Sequence, residues 1–157
     1  MSILRLNSML GVIEMEEADG ALFRCSLLPE AAPELEAIPR KAAAAPVLAE
    51  AEQQLNEYFC HLRREFDLPL AARGTPFQKA VWAQLEAIPY GETRTYGQIA
   101  AALGRPKAAR AVGMACHANP LWLIVPCHRV VGAHGALTGY ACGIETKQAL
   151  LEWEQES

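Results

Sequence analysis

The run Pro126-Cys127-His128-Arg129-Val130 places a thiol, an imidazole and a guanidinium together at the exit of the apolar stretch Leu121 to Val125. A thiol is a nucleophile only as thiolate, and an unassisted cysteine with a pKa near ~8.5 supplies little of that form at neutral pH. His128 can take the proton, and Arg129 can supply a positive field. On an extended segment neighbouring side chains point to opposite faces, so Cys127 and His128 need a tight turn or a bridging water to act together. Taken alone, a cysteine flanked by apolar residues is usually a small, inert core side chain. The elements around it must decide.

The chain has 157 residues, of which 52% are hydrophobic, enough for one ordinary domain or two small ones sharing a core and too many for a disordered tail. Five cysteines, Cys25, Cys60, Cys116, Cys127 and Cys142, form an odd set without metal-site spacing, and no hydrophobic export signal begins the chain. No apolar run approaches the ~20 residues that span a bilayer. The expectation is a reduced, cytoplasmic monomer with no membrane association. Net charge is −4, yet it is unevenly spread. Residues 1–92 hold fourteen acids against eight Lys and Arg, whereas no Asp or Glu occurs between Thr93 and Ile144. That window carries Arg94, Arg105, Lys107, Arg110 and Arg129, a locally basic surface of the kind a phosphate backbone feels.

Strands are expected over Gly11 to Met15 and Ala21 to Leu28, around the turn Ala18-Asp19-Gly20. The proline-bearing stretch Pro29 to Pro46 reads as a loop. A helix follows over about Val47 to Leu62, with Leu48, Leu55, Tyr58, Phe59 and Leu62 at helical spacing. Alternating Phe66, Leu68 and Leu70 suggest one more strand, and Ala71 to Gly74 a linker, dividing the chain into 1–73 and 74–157.

Thr75 can cap a helix with Pro76 at its first position and Phe77, Val81, Trp82 and Leu85 on its apolar face, ending at Pro89-Tyr90-Gly91. Thr95 can cap the next helix, Tyr96 to Leu103. The turn Gly104-Arg105-Pro106 leads to a third helix, Lys107 to His117. Two short helices around a glycine-containing turn read as a helix-turn-helix, or as an ordinary helical hairpin. The second helix is unusually slim, with little that is large apart from Arg110 and Met114. A helix that reads the ~12 Å major groove carries long polar side chains, whereas the ~6 Å minor groove admits one lined by Ala and Gly. Arg110, long among small neighbours, fits a probe that fills a vacated base position. An enzyme that works on a base must extrude it from the stack, at a cost of about a few kcal/mol. Tyr96, at the start of the preceding helix, is placed to turn the phosphate.

The chain resembles the 6-O-methylguanine-DNA methyltransferases, also called methylated-DNA–protein-cysteine methyltransferases, over about Arg73 to Glu154. The motifs are Ile88-Pro89-Tyr90-Gly91-Glu92-Thr93, Lys107-Ala108-Ala109-Arg110-Ala111-Val112-Gly113, Asn119-Pro120, Ile124-Val125-Pro126-Cys127-His128-Arg129-Val130 and Leu137-Thr138-Gly139-Tyr140. The resemblance implies an α+β protein. A small N-terminal antiparallel sheet with a helix, ribonuclease H-like, packs on a mainly helical domain with a helix-turn-helix. It implies single-turnover, irreversible transfer of the alkyl group of 6-O-alkylguanine, and of 4-O-alkylthymine, to Cys127, after minor-groove binding of double-stranded DNA and base flipping.

Further implications follow residue by residue. His128 acts as base through a water and Glu154 orients it, Asn119 braces the active-site turn, and Tyr96 donates to the guanine ring. Lys107, Ala109, Arg110, Gly113, Met114, Thr95, Arg129, Val130, Tyr140 and Ala141 contact DNA or the extruded base. No cofactor and no metal are expected. Met114 and His117 stand where smaller or differently charged residues are common, and Cys142 where glycine is, which suggests a tighter pocket rim. Three alternatives remain at this point: a lesion-sensing DNA-binding protein without transferase activity, a cysteine hydrolase using Cys127 and His128, and a transcriptional regulator.

Overall fold

The structure, a computed structural model, describes residues 2–28, 45–137 and 143–156. The stretch from Pro29 to Ala44, and Thr138, Gly139, Tyr140, Ala141 and Cys142, lie outside the described residues. The chain divides into two compact units, Met1–Arg73 with Pro120–Ile124, and Gly74–Asn119 with Val125–Ser157.

In the first unit Asp19 and Gly20 both sit at positive φ, 54° and 80°, the combination that folds a two-residue hairpin without splaying its strands. They join β2 (Gly11–Ala18) to β3 (Ala21–Leu28), and β1 (Ser2–Ser8) pairs with β2 on the other side, making an antiparallel sheet of order β1-β2-β3. β1 has no counterpart in the expected elements. Its alternation is broken because Arg5 is buried, its Nε 2.7 Å from Glu14 Oε2 on the facing residue of β2. One sheet face buries Leu4, Leu6, Ile13, Met15, Leu22 and Cys25. Helix α1 (Pro46–Tyr58) lays Val47, Leu48, Ala51, Leu55 and Tyr58 in the same core. It ends four residues before the expected Leu62. Phe59 leaves the helix, His61 turns back at φ 58°, and Leu62 is 78% exposed, so Leu55 and Tyr58 already complete the buried stripe.

The strand expected over Phe66 to Leu70 shrinks to a single parallel bridge, Leu22 with Leu70. Buried Gln54 explains this: its side chain donates to Asp67 O and accepts from Asp67 N, both at 2.9 Å, so that backbone is bonded to α1. Pro69 then has no N–H to offer a ladder. The excursion Pro120–Ile124 joins the same unit through Cys25 N donating to Pro120 O (2.8 Å) and Trp122 N donating to Cys25 O (3.0 Å).

In the second unit Thr75 and Thr95 each close a capping box with the glutamine three residues on, Gln78 and Gln98, and start α2 (Pro76–Glu86) and α3 (Tyr96–Ala102). Gly74 precedes α2 because a Cβ there would lie 2.5 Å from the Trp82 ring. After α3, Gly104 at φ 73° lets Arg105 N reach Ala100 O and Gly104 N reach Ala101 O, a Schellman stop. The helix expected from Lys107 starts two residues later, as α4 (Ala109–His117), and Lys107 lies in the turn. Helices α3 and α4 pack on each other and on α2, as a helix-turn-helix requires. Two-residue strands β4 (Arg94–Thr95) and β5 (Val130–Val131) pair in parallel, and α5 (Ile144–Gln155) ends the described chain. No helix among the described residues is long and apolar enough to cross a membrane.

Candidate active site

Cys127, His128 and Arg129 form one 3-10 turn, in which Cys127 N donates to Val125 O (2.8 Å), Arg129 N to Pro126 O (3.0 Å) and Val130 N to Cys127 O. This is the tight turn that two adjacent reactive side chains need. Asn119 holds its entry by donating from Nδ2 to Val125 O at 2.9 Å. Cys127 is 6% exposed and His128 fully buried, so both work in a low-dielectric site where charge interactions are strong.

Glu154, inward on α5, organises the turn. Its Oε2 lies 2.7 Å from His128 Nε2 and 3.0 Å from an Arg129 terminal nitrogen, and its Oε1 accepts from Arg129 Nε at 2.8 Å. Arg129 also donates to Ile88 O at 2.9 Å and stacks its guanidinium over Tyr90. Burial would raise the Glu154 pKa, but the hydrogen bonds and charges of His128 and Arg129 outweigh it and hold the carboxyl at about 2. Burial lowers the His128 pKa, against a smaller upward push from Glu154. A neutral imidazole facing an ionised carboxylate must donate from Nε2, which leaves Nδ1 as the basic nitrogen. Nδ1 is buried without a hydrogen-bond partner among the described residues.

Lys147 is the residue that motif reading missed. It is completely buried, its Nζ is 3.4 Å from the Tyr96 hydroxyl, and it lies over the Tyr96 ring. Burial lowers its pKa, while Cys127 and Cys116 push it back up, so a cation stands in the electrostatic reach of the candidate nucleophile. The signal was in the spacing. Lys147, Leu150 and Glu154 are the buried residues of α5, and a helix that turns Glu154 inward turns the residue two turns earlier inward too. The second nearby thiol is different: burial first, then Cys127, pushes Cys116 up to about 12.

A family model described as 6-O-methylguanine DNA methyltransferase, DNA binding domain, matches residues 76–156. The chain belongs to this family. A Methanosarcina acetivorans methylated-DNA–protein-cysteine methyltransferase is 58% identical over 105 residues, 67% of each chain. The constitutive enzyme of that name from Bacillus subtilis is 58% identical over 113 residues, 71% of this chain and 68% of its own. Among solved structures, Mycobacterium tuberculosis OGT in complex with DNA superposes with a TM-score of 0.86 at 42% identity, covering 98% of this chain and 92% of that one. An O6-methylguanine DNA methyltransferase from Methanococcus jannaschii gives 0.70 at 30% identity, with 98% and 94% covered.

The residues that the family resemblance assigns to DNA fall into three groups. Arg110 and Met114 project from α4 into solvent, Lys107 is exposed in the turn before it, and Ala109 is half-buried at its start. Gly113 faces Tyr96, whose ring would meet a Cβ there at 3.7 Å, ordinary contact that leaves room for little more than a methyl group. Thr95 uses its hydroxyl to cap α3, and Val130 is fully buried. Arg129 corrects one expectation: it is not part of the basic surface, because it is buried and its guanidinium is engaged by Glu154 and Ile88 O. Tyr140 and Ala141 lie outside the described residues. No cluster of His, Cys, Asp and Glu among the described residues could hold a metal ion.

Proposed function

We propose that the chain repairs 6-O-alkylguanine in double-stranded DNA by transferring the alkyl group to Cys127, the reaction for which its relatives are named. The observation that carries the role of each residue is the Glu154–His128 bond. It commits the imidazole proton to Nε2 and leaves Nδ1 as the basic nitrogen. His128 Nδ1 draws the Cys127 proton through one bridging water. The Sγ lone pair forms a bond to the alkyl carbon, the carbon–oxygen bond breaks, and its electron pair passes to the guanine. Tyr96 gives its hydroxyl proton to the departing ring, and the Lys147 ammonium 3.4 Å away steadies the phenolate that results. Asn119 keeps the turn in place.

The product at Cys127 is a thioether, which has no good leaving group and no hydrolytic step to remove it, so each molecule acts once. The same transfer from 4-O-alkylthymine needs no further chemistry. Delivery falls to α4, seated in the minor groove as part of a monomer, with Arg110 filling the space of the extruded base and Lys107 meeting phosphate. Among the described residues Cys127 is present and backed by base, carboxylate and cation, which favours a transferase over a lesion sensor. Titration against excess duplex carrying one 6-O-methylguanine tests this. Guanine restoration should stop at one equivalent per protein and be absent in Cys127→Ser; continued turnover would contradict it.

A further inference from the structure

Helix α4 has two faces. Val112, Ala115 and Cys116 are buried, and Trp82 Nε1 donates to Ala115 O at 2.9 Å, so the inward face is complete without Met114. The outward face is the stripe Arg110, Ala111, Met114, His117 and Ala118. On it Met114 is 70% exposed, a large apolar side chain that lies mostly in solvent. Such a residue is uninformative on an ordinary surface, but here it sits one turn beyond Arg110, and the chain carries no acid from Thr93 to Ile144. Ala111 and Ala118 leave the rest of the stripe low, so Arg110, Met114 and His117 are the side chains that reach furthest from this face.

We propose that Met114 is an apolar wedge that enters the minor groove beside Arg110 and unstacks the base step next to the lesion. The inference rests on the DNA-facing role of α4 given above and adds a second probe to it. Four helical residues advance ~6 Å, just under two base steps of ~3.4 Å, so while Arg110 occupies the vacated position Met114 stands over the step between the first and second bases beyond it, the adjoining intact step. An unbranched, polarisable thioether follows the irregular floor of the groove, and apolar wedges of this kind part base steps. Loosening that step lowers the cost of extruding the damaged base, and it does so without reading sequence.

Duplexes with one 6-O-methylguanine and a 2-aminopurine at the adjoining step report binding and unstacking together. With the wild type, aminopurine emission should rise on binding. Met114→Ala should weaken binding about tenfold and lose most of that rise, with an unchanged slope of affinity against salt because no charge is removed. Met114→Leu should retain most of both. The ratio of transfer rate on duplex to that on the free 6-O-methylguanine base should fall in the alanine variant. Arg110→Ala is the control for the DNA reading and should weaken duplex binding about tenfold. A full aminopurine rise in Met114→Ala, with the Arg110 effect intact, overturns the wedge alone. Wild-type binding by both variants overturns the wedge and the placement of α4.

Discussion

Two regions of the second unit handle charge in opposite ways. Around Cys127 the polar groups are buried and bonded to one another: Glu154 bridges His128 and Arg129, Arg129 reaches Ile88 O, and Lys147 meets Tyr96. On α4 the polar groups face solvent, and Arg110 stands out among alanines. Reaction chemistry needs a proton held at a known atom, which requires fixed partners in low dielectric. Capture of a polyanion needs exposed charge and a surface thin enough to approach it. Mutations in the first region therefore alter folding and chemistry together, and those in the second alter binding alone.

Glu154→Ala should separate the regions most sharply. It leaves Arg129 buried without its carboxylate, and breaking such a pair costs about 3–5 kcal/mol. Transfer should slow about a hundredfold or more as His128 loses its orientation. Denaturant unfolding and single-turnover kinetics measure the two effects. If stability fell while the rate held, the assignment of His128 as an oriented base would be wrong. Arg110→Ala should do the reverse, weakening duplex binding about tenfold while leaving unfolding within about 0.5 kcal/mol of wild type. A comparable loss of stability would mean that Arg110 belongs to the packing of α4.

Acid should expose the buried network. Glu154 has its folded pKa lowered to about 2 from 4.5, so its contribution to stability is complete above 4.5 and is lost as pH falls towards about 2. His128, lowered from 6.5, is protonated more readily in the unfolded chain, so the folded state also weakens as pH falls below 6.5. Melting temperature should decline in acid in two stages, and Glu154→Gln should remove the lower one. A melting temperature that holds from pH 7 to 3 would contradict the burial of both groups. Cys116→Ser should do least. A thiol pushed up to about 12 stays protonated at neutral pH, so the transfer rate should remain within about twofold. Peptide mapping that found the alkyl group on Cys116 would reverse this.

Much of the helical unit was legible because its signals are local. Thr75 and Thr95 announce capping boxes, and Gly104 a helix stop. The Cys127-His128-Arg129 run pointed to a candidate nucleophile whose adjacency to the imidazole called for a tight turn or a bridging water, and the structure contains the turn. What stayed hidden involved polar groups in unusual places. Arg5 interrupts the alternation of β1, Gln54 takes the backbone of Asp67 away from a ladder, and Lys147 is read as surface because lysine is so seldom fully buried. Arg129 was counted with the basic surface for the same reason. In each case the deciding partner is remote in sequence or sits on another element, which composition and periodicity do not register.

The most direct measurement is the intact mass of the protein after incubation with duplex DNA carrying one 6-O-methylguanine, followed by peptide mapping. A gain of one methyl group, located on Cys127 and saturating at one per molecule, is the predicted result. Unmodified protein that still binds the lesion tightly, or a methyl group on any other residue, would contradict transfer to Cys127.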